Sequence, residues 1–426
     1  MYKKLFSYDI LETYNEREVY YKLEDLYDYI TSESYVNKTL THVDKNIPKD
    51  VLSHYLDNLY FLREHGLPHY KQEQFNTFNL SKLYSIDILR SHTNSKIVNF
   101  LENKFDLLAS SGKNQLLLID GQILASTGLQ SSVKYGAQIL EYMSFSKHRQ
   151  AEYIKLIENT DNFSNFTYAT TMFPNVVVFP HGSKDRYTKN PIHVHYENSV
   201  DDPVLESNTT IFDVQYDTHV KLIESVKTFA GQNNYTTYIV RENSTLEIER
   251  DSLDFGGWSI FDSRFICHPN STVKIKFKNT GSTYTQENFY FKCSSNVNVE
   301  LVGRNNIYKG NEYYQFVKLK SSDHNNTSKI DIKNVGSDHS KTSFIGNFYV
   351  NPDSEGFVGN MTNQNLMLYN SAQMQSRPIL DIYTKEIECT HGCTISNVDE
   401  NQLYYLQSRG FDATSSRDIL VDSFLC

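Results

Sequence analysis

Thr245-Leu246-Glu247-Ile248-Glu249 alternates apolar and charged residues. So do Val273-Lys274-Ile275-Lys276-Phe277-Lys278, Val297-Asn298-Val299-Glu300-Leu301 and Lys329-Ile330-Asp331-Ile332-Lys333. A period of two gives each run one face for a core and one for water, the pattern of a half-buried strand. The runs recur at Leu246, Val273, Val297 and Ile330, spacings of 27, 24 and 33, with Asn, Ser and Gly between them. A β-sandwich would turn every 8–12 residues or so. A parallel β-helix returns to the same wall after about 20–30 residues. Both architectures fit the alternation, and the spacing favours a mainly β, parallel β-helix core. A solenoid also accommodates 426 residues without a wider core.

Strand patterns dominate from about Phe173 to residue 389. Upstream, Gln115-Leu116-Leu117-Leu118-Ile119, Asp120-Gly121 and Gln122-Ile123-Leu124 read as strand, tight turn, strand. A helical-looking interruption covers about Val133 to Asn159. Val51, Leu52, Tyr55, Leu59 and Leu62 form one stripe of a helix, with Pro48 in its first turn and Gly66 past its end. Ser95 to Leu108 repeats that stripe, and Glu16 to Tyr29 is rich in helix formers. The expected organisation is a helical N-terminal region over 1–112, a β-helix core over 113–393 and a short helical domain over 394–426. In the last, Asn397 is a candidate cap for a helix ending at Gly410, and a second helix is expected over about Ser415 to Leu425.

Lys+Arg 41 against Asp+Glu 51 gives a net charge of −10, which disfavours a nucleic-acid binder. The longest apolar runs, Leu116–Ile119 and Val176–Phe179, are far short of the ~20 residues that span a bilayer. The N-terminus shows two lysines without an apolar run behind them, so no signal peptide is read. Five cysteines, odd and sparse, suit a reducing compartment, and the cytoplasm is expected. There is no GxxxxGK[ST], GxG, HExxH, GxSxG or CxxC.

The densest chemistry is Glu386-Ile387-Glu388-Cys389-Thr390-His391-Gly392-Cys393. In an extended chain, alternation puts Cys389, His391 and Cys393 on one face. Thiolate and imidazole suit zinc or iron–sulfur chemistry. Equally, the thiols can serve as small hydrophobes and the histidine as a strand-end cap. No second Cys–His cluster offers further ligands, so a metal there would need completion by another chain.

From Cys389 to Gly410 the sequence CTHGCTISNVDENQLYYLQSRG resembles the C-terminal signature of the SufB/SufD family of iron–sulfur cluster assembly proteins. Gly66-Leu67-Pro68 with Glu73-Gln74-Phe75-Asn76 resembles that family's N-terminal segment, with Phe75 in place of the usual Trp. Pro191-Ile192-His193-Val194, Phe344-Ile345-Gly346 and Pro378-Ile379-Leu380-Asp381-Ile382 extend the likeness. The resemblance implies a right-handed parallel β-helix between helical ends. It also implies a non-catalytic scaffold that pairs through the β-helix with a SufB-like subunit and docks a SufC-like ABC ATPase on its C-terminal domain. The cluster would be transient, shared with the partner and not held by the isolated chain. His391 and Cys389 are the candidate interface ligands and Cys393 a secondary one. Leu403, Tyr404, Tyr405, Leu406 and Arg409 are the candidate partner-binding residues. Thr390-His391-Gly392 stands where SufB-like chains usually carry Glu-His-Glu, and their usual cysteine falls at about Gln364, so the chain looks like SufD. The family's C-terminal domain usually runs further, so docking is expected either to be weaker or to rest mainly on the 399–409 helix.

The alternatives are a SufB-like scaffold acting as a homodimer and a β-helix carbohydrate-active enzyme. The latter needs paired carboxylates, which the outward strand positions do not offer. His193 and His195 form an HxH without nearby further ligands. Cys267-His268 and Cys293 read as single packed residues, and Lys274, Lys276 and Lys278 as a solvated strand face. The N-x-S/T matches follow from an Asn-rich chain.

Overall fold

The structure, a computed structural model, describes residues 257–426 apart from 309. In the earlier part it describes 19–22, 49–69, 75, 77–84, 87–90, 114–119, 122–127, 137–141, 145–156, 174–182, 186–197, 205–228, 231–254 and a few single positions between 27 and 72.

The N-terminal part holds β1 (Val19–Lys22), β2 (Asp87–Arg90), β3 (Asn114–Ile119), β4 (Gln122–Thr127) and β5 (Gln138–Glu141). The solenoid follows with β6 (Asn175–Phe179), β7 (Asn190–Glu197), β8 (Leu205–Val214), β9 (His219–Thr228), β10 (Gly231–Val240), β11 (Thr245–Asp254), β12 (Trp258–Cys267) and β13 (Thr272–Asn279). It continues with β14 (Tyr284–Cys293), β15 (Asn298–Ile307), β16 (Glu312–Ser321), β17 (Thr327–Gly336), β18 (Lys341–Val350), β19 (Phe357–Met367), β20 (Gln373–Ile382) and β21 (Ile387–Asn397). Even-numbered strands from β6 build one sheet and odd-numbered strands from β7 the other. Successive members of each are parallel. The chain therefore winds between two facing walls, as the alternating runs predict.

Register refines the sequence spacing. Leu246, Val273 and Val299 form one inward column, 27 and 26 residues apart. Val297 lies in the turn before its strand, where its N–H donates to Asn326 Oδ1 at 2.8 Å. Ile330 stacks on Leu301. The corner before each odd strand from β9 to β19 holds one residue at positive φ. Asp217, Asn243, Asn270, Asn296 and Asn325 fill it at φ between 54° and 59°, and Gly356 fills it in the next rung. Asn and Asp tolerate this region better than other L-residues. The Asn270 amide donates to Asn243 Oδ1 and the Asn296 amide to Asn270 Oδ1, so the corners are tied rung to rung.

Between the walls, Phe212, Tyr238, Phe265 and Phe291 stack with centroids 5.4, 4.7 and 4.7 Å apart. A buried amide ladder runs parallel to them. Asn305 Nδ2 donates to Asn334 Oδ1 at 2.8 Å, and Asn334 Nδ2 to Asn365 Oδ1 at 3.0 Å. Arg250, also buried, donates to Glu224 at 2.8 Å and Glu287 at 3.2 Å. A charge with paired, hydrogen-bonded partners is the form in which burial is tolerated.

Helix α1 (Lys49–His65) ends at Gly66, φ 73°, as its stripe and stop signal predict. Leu59 and Leu62 of α1, Phe78, and Leu83 of α2 (Leu80–Tyr84) join one apolar cluster with Ile211, Tyr235, Trp258 and Tyr314 of the even wall. The expectation for Glu16 to Tyr29 is corrected: Val19–Lys22 is a strand paired antiparallel with β2, partner contacts overriding helix propensity. The helix expected over Ser95 to Leu108 lies outside the described residues. Within Val133 to Asn159, β5 pairs antiparallel with β6, and helix α3 (Lys147–Leu156) occupies only the later part. Arg149 and Tyr153 of α3 and Arg241 converge on the buried carboxylate of Asp213. A short helix, α4 (Arg186–Lys189), leads into β7.

On the odd wall's outer face Lys221, Glu247, Lys274, Glu300 and Lys329 line up across five strands. Opposite charges thus adjoin at every step, which favours this register. Helices α5 (Glu400–Ser408) and α6 (Ala413–Leu425) close the described chain. Asp399 caps α5, because Asn397 is still the last residue of β21, and Asp412 caps α6. Val421 packs with Val335 and Leu366. Lys333 Nζ donates to the Phe424 carbonyl at 2.7 Å, joining α6 to β17.

Candidate functional site

The Cys389–Cys393 segment lies inside a strand, not at a strand end: β21 runs from Ile387 to Asn397. Its register fixes which way each side chain faces. Ile387, Cys389, His391, Cys393 and Ile395 pair with Phe357, Gly359, Met361, Asn363 and Asn365 of β19, all five of them buried. The alternation read from sequence therefore holds, and the thiols and the imidazole continue the columns that line the core. Cys389 follows Ser328 and Gly359, His391 follows Ile330 and Met361, and Cys393 follows Ile332 and Asn363.

β21 is the last strand of its sheet and β20 the last of the other. Columns that are sealed on both sides further down have a neighbouring strand on one side only here, among the described residues. Met361 is 1% exposed, whereas His391 and Cys393 are exposed and Cys389 is half-buried. Leu380, Ile382, Ile387 and Cys389 pack against the main core from this terminal rung. The result is an apolar mouth between two strands, with a thiol–imidazole–thiol row on one lip. Partial burial among apolar neighbours pushes the Cys389 thiol up to about 11. It is therefore protonated at neutral pH and a weaker ligand than a neutral imidazole until a metal displaces the proton. Thr390 faces the other way and accepts from the Asn360 amide at 2.8 Å. Gly392 has no neighbour within 4 Å of where a Cβ would stand.

Among the described residues, no group of three or more His, Cys, Asp or Glu could hold a metal ion. His193 and His195 share the outer face of β7, their rings 6.4 Å apart and nearly parallel. Gln364, the position matched to the SufB-like cysteine, is exposed on the outer face of β19, between the buried Asn363 and Asn365.

The candidate partner-binding residues divide in two. Leu403 is buried and serves the packing of α5, and Leu406 is partly covered. Tyr404 and Tyr405 are 73% and 56% exposed, and the Arg409 guanidinium lies 5.2 Å from the Tyr405 ring centre. Phe411 and Ile419 stand exposed on the same pair of helices and their link. Sequence reasoning missed Leu380, Ile382 and Ile387 as lining of the mouth, because strand periodicity marks a residue as inward without showing which rung is last.

Fold and terminal rung together define a parallel β-helix protein whose last described rung carries two thiols and an imidazole along its strand. Residues 196–424 match the SUF system FeS cluster assembly, SufBD core domain, and the chain belongs to this iron–sulfur cluster assembly family. An iron–sulfur cluster assembly SufBD family protein of Synechocystis is 22% identical over 84% of this chain and 82% of its own length. The iron–sulfur cluster assembly protein SufD of Escherichia coli is 29% identical over 30% of this chain and 33% of its own. SufB of Bacillus subtilis is 23% identical over 54% and 46%.

Proposed function

We propose that this chain is a non-catalytic, SufD-like subunit of an iron–sulfur cluster assembly scaffold. The observation that carries the reading is the open terminal rung. A strand of eleven residues with a free edge is a template for pairing, and proteins normally shorten, charge or cover such edges. Here the edge stays long, and its inward row is Ile387, Cys389, His391, Cys393 and Ile395. A SufB-like β-helix joined at this rung would complete the strand pairing, bury the apolar mouth and bring its own ligands to face His391. The cluster is cargo in this account. It is held transiently between two chains, with His391 as this chain's ligand, Cys389 beside it and Cys393 secondary. Mixed imidazole and thiolate ligation leaves a cluster less tightly held than four thiolates, which suits transfer to a carrier.

The SufD-like assignment rests on Thr390-His391-Gly392 and on Gln364. The exposed Tyr404 and Tyr405, beside Arg409, form the surface for a SufC-like ABC ATPase, since exposed aromatic and Arg side chains are enriched at interfaces. The free thiols suit a cytoplasmic setting. Co-expression with a SufB-like chain and an ABC ATPase, followed by affinity capture and native mass spectrometry, tests the reading. All three chains should be recovered together, and the double substitution Tyr404→Asp, Tyr405→Asp should release the ATPase while the pair of β-helix chains remains. A chain that captures only a second copy of itself supports the homodimeric scaffold instead. A chain that captures nothing contradicts both.

A further inference from the structure

Cys267 and Cys293 are 26 residues apart in sequence, yet they end β12 and β14 directly side by side in register. Both are fully buried and belong to the main core. Their column runs from Val240 through the two cysteines to Ser321. Adjacent strands lie about 4.8 Å apart, inside the Cα separation of roughly 4.4–6.8 Å that a disulfide spans. The two residues are direct partners in register, and both side chains belong to the same buried core.

We infer that Cys267 and Cys293 form an oxidisable dithiol that closes into a disulfide linking two consecutive rungs of the solenoid. The oxidant is a small peroxide able to enter the core. Hydrogen peroxide oxidises one thiol to a sulfenic acid and releases a first water. The second sulfur then attacks, the S–O bond breaks, the S–S bond forms and a second water leaves with the remaining thiol proton. Two thiols lose two electrons in all, and one peroxide gains them. Resting reactivity is low, because the hydrogen bond with Cys267 and then burial push the Cys293 thiol well above its ordinary value. Oxidation at this pair therefore lags behind the exposed Cys393 and Cys426. Closing a 26-residue loop restricts the unfolded chain, so the oxidised form is the more stable one.

The test treats the full chain with hydrogen peroxide, blocks free thiols under denaturation and digests with trypsin without reduction. A linked pair of the peptides Phe265–Lys274 and Cys293–Arg304 is expected. Dithiothreitol should remove it, and the thermal midpoint of the oxidised chain should be several degrees higher. Cys293→Ser should abolish both the linked peptide and the shift. Cys267→Val, matching Val240 below it, serves the same purpose should the serine variant not fold. The inference is overturned if both cysteines are recovered as thiols once Cys393 is fully oxidised. It is equally overturned if either links to another cysteine, or if the oxidised chain melts no higher.

Discussion

His391 stands in register beside Met361, one rung further along the solenoid. Met361 is sealed between Ile330 and the final strand, whereas His391 has a neighbouring strand on one side only. The same column position is core in one rung and exposed in the next, solely because the stack ends. Among the described residues, His391 is thus an imidazole in a core-lining column with no further rung beside it.

The neighbouring thiols should separate by reactivity. Burial raises Cys389 from 9.0 to about 11, so its thiol form is the one the fold favours. A group raised in the folded state stabilises below its unfolded value, and that contribution fades as pH climbs from about 9 toward 11. With iodoacetamide at pH 8, Cys393 and Cys426 should alkylate well before Cys389. The Cys389 rate should keep rising up to about pH 11. Equal rates at pH 8, measured by peptide mass spectrometry, would contradict the environment described for Cys389.

The buried ion network should be costly to break. Arg250 lies between Glu224 and Glu287, and the Tyr238 and Tyr313 hydroxyls donate to those carboxylates at 2.6 and 2.8 Å. Arg250→Met leaves two carboxylates uncompensated in the core and should destabilise by about 3–5 kcal/mol. Urea denaturation followed by circular dichroism reads this directly. A loss below about 1 kcal/mol would show that the core around Glu224 and Glu287 is wet.

The corner ladder offers a conformational test. Asn296 sits at φ 56° and its amide reaches Asn270. Asn296→Gly keeps the backbone geometry, although it loses one exposed hydrogen bond, and should change stability little. Asn296→Val forces a β-branched residue into the left-handed region and should cost about 1–3 kcal/mol. Similar thermal midpoints for the two variants would argue against the corner conformation.

The solenoid was legible because charged and apolar residues alternate so regularly in runs such as Val273 to Lys278. Register was only partly legible: Val297 and Val299 fit the same alternation, and only pairing across rungs shows that Val299 sits beside Val273. β1 escaped the reading because a four-residue strand carries too little pattern to outweigh helix-forming neighbours. At the site, the common face of Cys389, His391 and Cys393 followed from a period of two. Which strand is last did not, since no local pattern records where a stack ends. The stacking of Cys267 beside Cys293 escaped for the same reason, being a property of register between distant segments.

Under the proposed function, His391 acts as a cluster ligand only when a second chain completes the terminal rung. Anaerobic reconstitution with iron and sulfide, followed by iron quantification and visible absorption, measures it in the isolated chain and in the complex with a SufB-like partner. Little or no iron is expected on the isolated chain and a cluster on the complex, with His391→Ala impairing assembly more than Cys393→Ala does. A stoichiometric cluster on the isolated chain, or unchanged assembly by the His391→Ala complex, would contradict it.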